Sequence, residues 1–176
     1  MTDTGVKRGM WRAGSVLIVL TAAALITVLF RMHSAHTPHA LRLPDGTEAF
    51  FFPNTVVDAA KSYPQGREIR VNGDAFIRAP AAASPLIVRS PLLVLTVTGE
   101  SAFRITSYAN EAGGEVKVLY GHVQAHKAYA SAYSEPDILT GGEETMINRT
   151  IDLMERETFD PAQLQAWSNA LIASVR

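Results

Sequence analysis

From Leu41 to Phe159 the chain alternates short apolar runs, rich in β-branched and aromatic side chains, with breaks built from Gly, Pro, Asn and Asp. That is the pattern of strands joined by tight turns. It predicts strands at 47–52, 56–60, 67–72, 74–78, 86–90, 93–98, 102–108, 115–119, 122–125 and 144–148. Asp45-Gly46, Asn72-Gly73, Gly113-Gly114 and Gly141-Gly142 mark the expected turns, because glycine accepts the positive φ that tight hairpins require. In EVKVLYGHVQAH, Val116, Val118 and Val123 alternate with polar partners, as in a sheet with one buried face, and Gly121 reads as a bulge or bend. No helical period is sustained over 41–140, which argues against alternating βαβ units. Over 146–159 the pattern suits either a helix face (Met146, Ile147, Ile151, Met154) or an edge strand (Ile151, Leu153), and the strand is preferred. Asp160-Pro161 then supplies a cap and a first-turn proline, and Leu164, Trp167 and Leu171 recur at spacings of three and four, continued by Val175. A short amphipathic helix is predicted over 160–176. Trp167 reads as an anchor of this helix against the sheet, while Leu164, Trp167 and Leu171 together are the candidate partner-docking stripe.

Ahead of this region the pattern changes. Gly14–Phe30, GSVLIVLTAAALITVLF, carries no charge over 17 residues, about 26 Å as a helix, enough to span a bilayer. Lys7, Arg8 and Arg12 precede it and only Arg31 follows closely, so the positive-inside rule places 1–13 in the cytoplasm and the C-terminal bulk outside. A cleaved signal peptide would share the basic start, but the run exceeds the usual apolar length of about 7 to 15 residues, and no small-x-small pair follows it. The expected organisation is a cytoplasmic tail (1–13), a transmembrane helix (14–30), a linker (31–40), a β-domain (41–159) outside the cytoplasm and the terminal helix (160–176).

Composition narrows the chemistry. The 176 residues carry a net charge of -1, without the basic excess that neutralising a nucleic-acid backbone requires. Cysteine is absent, which removes disulfides and thiolate catalysis. No P-loop, GxSxG, HExxH or paired dinucleotide glycines occur. His33, His36 and His39 recur every third residue, but a linker with Pro38 does not offer the fixed geometry and supporting hydrogen-bond partners a metal site needs, and His122 and His126 lie on one strand face with no acidic partner at ligand spacing. Glu143-Glu144 reads as solvated turn charge, since neighbours on a strand point to opposite faces. The expectation is a binding protein, not an enzyme, with no catalytic residue, cofactor or metal.

Six ordered landmarks carry a family resemblance. Leu43-Pro44-Asp45-Gly46-Thr47 followed by Asn54-Thr55, then VNGDAF at 71–76, PLIV at 85–88, LTVTGESAFRI at 95–105, VKVLYGHV at 116–123 and LTGGE at 139–143 together resemble the FecR domain. Their marker residues are Leu43, Pro44, Asp45, Gly46, Asn54, Gly73, Phe76, Gly99, Phe103, Gly121 and Gly142, with Glu100 standing where the family usually has threonine. The resemblance implies a twisted antiparallel all-β domain, sandwich or solenoid-like, in a regulator of cell-surface signalling anchored by a single pass in the cytoplasmic (inner) membrane, with its N-terminus cytoplasmic and its β-domain periplasmic. In the family a cytoplasmic region grips a sigma factor, and the periplasmic part senses a TonB-dependent receptor, often in iron uptake. This chain departs at both ends: 13 residues precede the apolar run, and the chain stops soon after Trp167, which resembles the tryptophan that precedes the family's C-terminal domain. Expected partners are therefore the membrane and an envelope protein, a receptor signalling domain or a sigma-pathway protein, with self-association as a further option. The alternative function is an envelope binding or assembly module without anti-sigma activity.

Overall fold

The computed structural model describes residues 37–175. The predicted tail, transmembrane helix and first part of the linker lie outside the described residues, and within them no helix is long and apolar enough to cross a membrane. The strands are β1 (His39–Arg42), β2 (Glu48–Phe51), β3 (Val56–Ala59), β4 (Glu68–Ala79), β5 (Leu86–Arg89), β6 (Leu93–Ser107), β7 (Gly113–Lys127), β8 (Asp137–Thr140), β9 (Glu143–Asn148) and β10 (Leu153–Thr158), followed by helix α1 (Pro161–Val175).

Three long strands organise the molecule, and each serves two layers. The first half of β4 pairs with β3 and β5, while its second half pairs with β2 and β6. In β6, residues 94–97 pair with β5 and 101–107 with β4. In β7, residues 122–125 pair with β8 and 113–117 with β9. The change of partner falls at Gly73, Gly99 and Gly121, whose φ values are +136°, +74° and +95°. At Gly99 the β6–β7 register also shifts, as at a bulge, which lets one strand turn a corner without ending. One layer thus contains β3, β5, β8 and the matching halves of the long strands. The second contains β1, β2, β9, β10 and the other halves. Both contribute to one apolar cluster, with Ile69, Leu86, Leu95 and Val123 from the first and Ile77, Phe103, Ile105 and Val118 from the second.

Several expectations are corrected here. Asn72-Gly73 is not a turn and does not divide two strands: Gly73 lies inside β4, where its Cβ would fall on Thr55 Oγ1 and 2.7 Å from Thr55 Cα. The predicted pairs 93–98 with 102–108 and 115–119 with 122–125 are likewise single bent strands, and Gly113-Gly114 opens β7 instead of forming a turn. The linker expected to run to residue 40 ends earlier, because His39 and Ala40 already pair with Phe51 and Phe50 in β1–β2. The sheet is not wholly antiparallel, since Glu68–Arg70 run parallel to Ile87–Arg89. β10 resolves the ambiguous segment as a strand, paired with β9 from Leu153↔Asn148 to Thr158↔Glu143.

Helix α1 starts where Asp160 Oδ1 accepts a hydrogen bond from Ala162 N at 3.0 Å, satisfying an end donor that the helix cannot. It buries Leu164, Ser168 and Leu171. Phe50, Phe76 and Ala102 of the second layer form a separate cluster with Leu171, joined by Trp167, Ile172 and Val175. Phe76 and Ala102 alternate with the core residues Ala75, Ile77 and Phe103, so the helix covers the outer face of the second layer.

Candidate functional site

The landmark residues resolve into fold determinants. Gly46 N donates to Leu43 O at 3.0 Å across a turn with Pro44 at its second position, where a φ fixed near -65° is suited, and Gly46 has φ +87°. Asp45 accepts from Thr47 N and Thr47 Oγ1, both at 2.9 Å, and from Arg67 Nε at 2.8 Å. Arg67 is 4% exposed, has φ +37°, and also donates to the carbonyls of Ser84 and Pro80. The turn therefore holds an inward-pointing anion that orders a guanidinium and, through it, the start of β4 and the 80–84 loop. Burial works against ionising Asp45, but bonds from Tyr63, Thr47 and Arg67 outweigh it and hold the carboxyl below its ordinary value. Burial first, then the Asp45 carboxylate, pushes the Tyr63 phenol up to about 12.

The other markers act in the same way. Asn54 Nδ2 donates to Tyr108 Oη at 3.1 Å, Phe103 is in the core, and Phe76 lies under the helix. Gly142 (φ +86°) turns the chain from β8 to β9, with its N donating to Val118 O at 2.9 Å and its O accepting from Phe159 N at 3.0 Å. The sequence-predicted residues are thus dispersed over the corners of the fold and do not converge on a reaction centre. Among the described residues, no group of three or more His, Asp or Glu side chains converges as metal ligands would.

Leu164 and Leu171, two members of the candidate docking stripe, are each 5% exposed, and Leu171 packs with Phe50, Phe76 and Ala102 of the sheet, so neither offers a free surface. Trp167 is half-buried. Its ring lies 6.5 Å from Phe52 and 6.3 Å from Phe76, and the Arg104 guanidinium sits 4.2 Å above its centroid, within cation–π range. Arg104 is fixed by Asp74 through Nε–Oδ1 at 2.8 Å and Nη2–Oδ2 at 2.7 Å, and this bidentate bond raises its pKa. Trp167→Ala should therefore destabilise the domain by about 2–3 kcal/mol, less than the roughly 3–5 kcal/mol of a fully buried aromatic truncation because the site is half-buried. Urea unfolding followed by far-UV circular dichroism measures this, and a loss below about 0.5 kcal/mol, typical of an ordinary surface site, would refute the anchoring role.

Beyond α1 the outer face carries a charged row. Lys117 Nζ lies 2.6 Å from Glu144 Oε2 and 3.2 Å from Glu115 Oε2. Glu144 is 8% exposed, a buried ion-pair member and not the solvated turn charge expected. Glu143 points the other way and accepts from Thr140 N and Oγ1 at 2.8 and 2.9 Å. Next to this row a groove of about 460 Å³ crosses β7, β9 and β10. Sequence reasoning missed it, because it exists only through the register of three strands.

No protein-family model matches this chain, and no curated protein matches it by sequence. Two crystal structures, at 1.65 and 2.50 Å resolution, of a "putative anti-sigma factor" from Parabacteroides distasonis ATCC 8503 are similar in fold. Each matches with a TM-score of 0.65 and 23% sequence identity over 75% of this chain and 61% of the other. The chain therefore spans about three-fifths of the length of the solved proteins it matches, and at this identity what they share is the fold.

Proposed function

We propose that the protein is a membrane-anchored, FecR-like regulator whose β-domain faces the periplasm and takes part in cell-surface signalling to a sigma factor. The observation that carries this reading is the fold shared with the Parabacteroides protein over 75% of the chain. The ordered FecR-like landmarks support it, since each serves a turn, a layer crossing or a packed face of that fold. Tethering comes from the uncharged run Gly14–Phe30 and its basic flank. Coupling to a TonB-dependent receptor and to iron uptake is the finer form of the proposal, motivated by the family resemblance. The domain acts by binding, and its residues carry no proposed catalytic role.

The test combines topology with output. A C-terminal tag should fractionate with the inner membrane and be cut by protease only after the periplasm is opened. Deletion of the gene should change expression from a sigma-dependent reporter promoter. A soluble protein or a protected tag overturns the anchoring. Unchanged transcription under inducing and non-inducing conditions overturns the sigma-factor role and leaves a binding or assembly module of the envelope.

A further inference from the structure

Helix α1 covers only part of the second layer's outer face, and the groove lies in the uncovered part. Register places Met146 between Glu115 of β7 and Glu155 of β10, and Asn148 between Gly113 and Leu153. The floor is apolar and open, with Met146 and Leu153 39% and 45% exposed. Its depth comes from Gly113, which places no side chain on this face and whose added Cβ would meet only Ile147 O at 3.7 Å. The rim is acidic: Glu111, Glu115 and Glu155 all line the groove. Lys117 is the cation beside Glu115 but is held more closely by Glu144. Among the described residues, neither Glu111 nor Glu155 takes part in an ion pair within 4.0 Å. Thr106 also lines the groove, and its Oγ1 is buried without a hydrogen-bond partner among the described residues.

We propose that this groove binds a short basic segment of a partner protein, one that interleaves lysine or arginine with apolar side chains. An apolar floor gains from covering about 25 cal/mol per Å² of apolar surface removed from water. The rim carries three carboxylates against the single charge of Lys117, so an incoming cation meets a net negative potential. The same rim disfavours the competing occupants. An anionic membrane or a nucleic acid would meet like charge, and so would the same groove of a second copy. The inference rests on the reading of this domain as a binding module in signalling, but it requires neither a sigma factor nor iron.

The experiment titrates the solubilised full chain with a short fluorescent peptide of alternating lysine and leucine, read by anisotropy, with an alternating glutamate and leucine peptide as control. Glu111→Lys/Glu155→Lys reverses two exposed rim charges, and Gly113→Leu fills the groove at a position without positive φ. Each variant should bind the basic peptide at least about tenfold more weakly than the native chain, and added salt should weaken native binding further by screening. Unchanged melting temperatures in both variants show that the fold is intact. No binding by the native chain, equal binding of the acidic peptide, or undiminished binding by both folded variants overturns the proposal. Unchanged reporter expression in the deletion strain would overturn the sigma-factor role while leaving this titration unaffected, so the two failures are distinguishable.

Discussion

Gly121→Ala is expected to cost about 2–6 kcal/mol of folding stability, a large share of the roughly 5–15 kcal/mol that holds an ordinary domain folded. Two terms add. Gly121 has φ +95°, where a residue with a Cβ is strained by about 1–3 kcal/mol. The new methyl would also fall on Ser101 Oγ, 2.5 Å from Glu100 O and 2.6 Å from Ser101 Cα. Two of these obstacles belong to the backbone of the β6 bulge, so relief means moving the corner where both long strands change layer, and overpacking of this kind costs about 1–3 kcal/mol. Gly99→Ala is the internal control. Gly99 has a similar φ of +74°, but its added Cβ meets nothing within 4 Å, so only the backbone term of about 1–3 kcal/mol remains. Urea midpoints of the two variants at unchanged slope test this directly. Equal effects would show that steric closure at the corner is not what fixes Gly121.

That contrast also explains which parts of the fold could be read from the sequence. The alternation of Val116, Val118 and Val123 shows a half-buried strand, because period-two burial is a local property. A glycine with positive φ announces only that the chain bends, and a hairpin and a layer crossing make the same local demand. Asn72-Gly73 therefore signals a bend that its local pattern does not distinguish from a strand end, whereas Asp45-Gly46 is a true turn. β8 has only four residues, too few for a period to show, and β1 is held by its pairing with β2 more than by its own pattern. The stripe of α1 was visible, but the face it covers was not. Phe50, Phe51 and Phe52 run consecutively, and such a run does not reveal that Phe50 faces the helix while Ala49 enters the core. The groove depends on the juxtaposition of Glu115, Met146 and Glu155 across three strands, a relation that no short stretch of the chain contains.

The Asp45–Arg67 pair is the least legible of these features, its members standing 22 positions apart, and it supplies the second large expected effect. Arg67→Ala should destabilise by about 3–5 kcal/mol, because it strands a partly buried carboxylate and removes the donor to the Ser84 and Pro80 carbonyls. The exposed pair Arg42–Glu48, 3.1 Å apart with the arginine side chain 71% exposed, sets the scale for comparison: Arg42→Ala should cost under about 1 kcal/mol. Arg67→Gly separates the two burdens on the position. At φ +37° glycine relieves backbone strain while losing the same ion pair, so it should be more stable than Arg67→Ala by about 1 kcal/mol yet still far below the native chain. The pH dependence carries a definite sign. Folding lowers the Asp45 pKa from 3.8, so the native state binds the proton less readily than the unfolded chain does. The stabilisation is fully present above that unfolded value and is lost as the pH falls from about 3.8 through the lower native value. Asp45→Asn should remove this part of the acid-induced loss while lowering stability at neutral pH, and denaturant midpoints collected from neutral pH down into the acid range would show both. If Arg67→Ala proved as mild as Arg42→Ala, the LPDGT turn would be a hairpin and nothing more. If the expected loss is observed, the turn is the fixed end of an ion pair that ties β1–β2 to β4, and its aspartate is required for a structural reason.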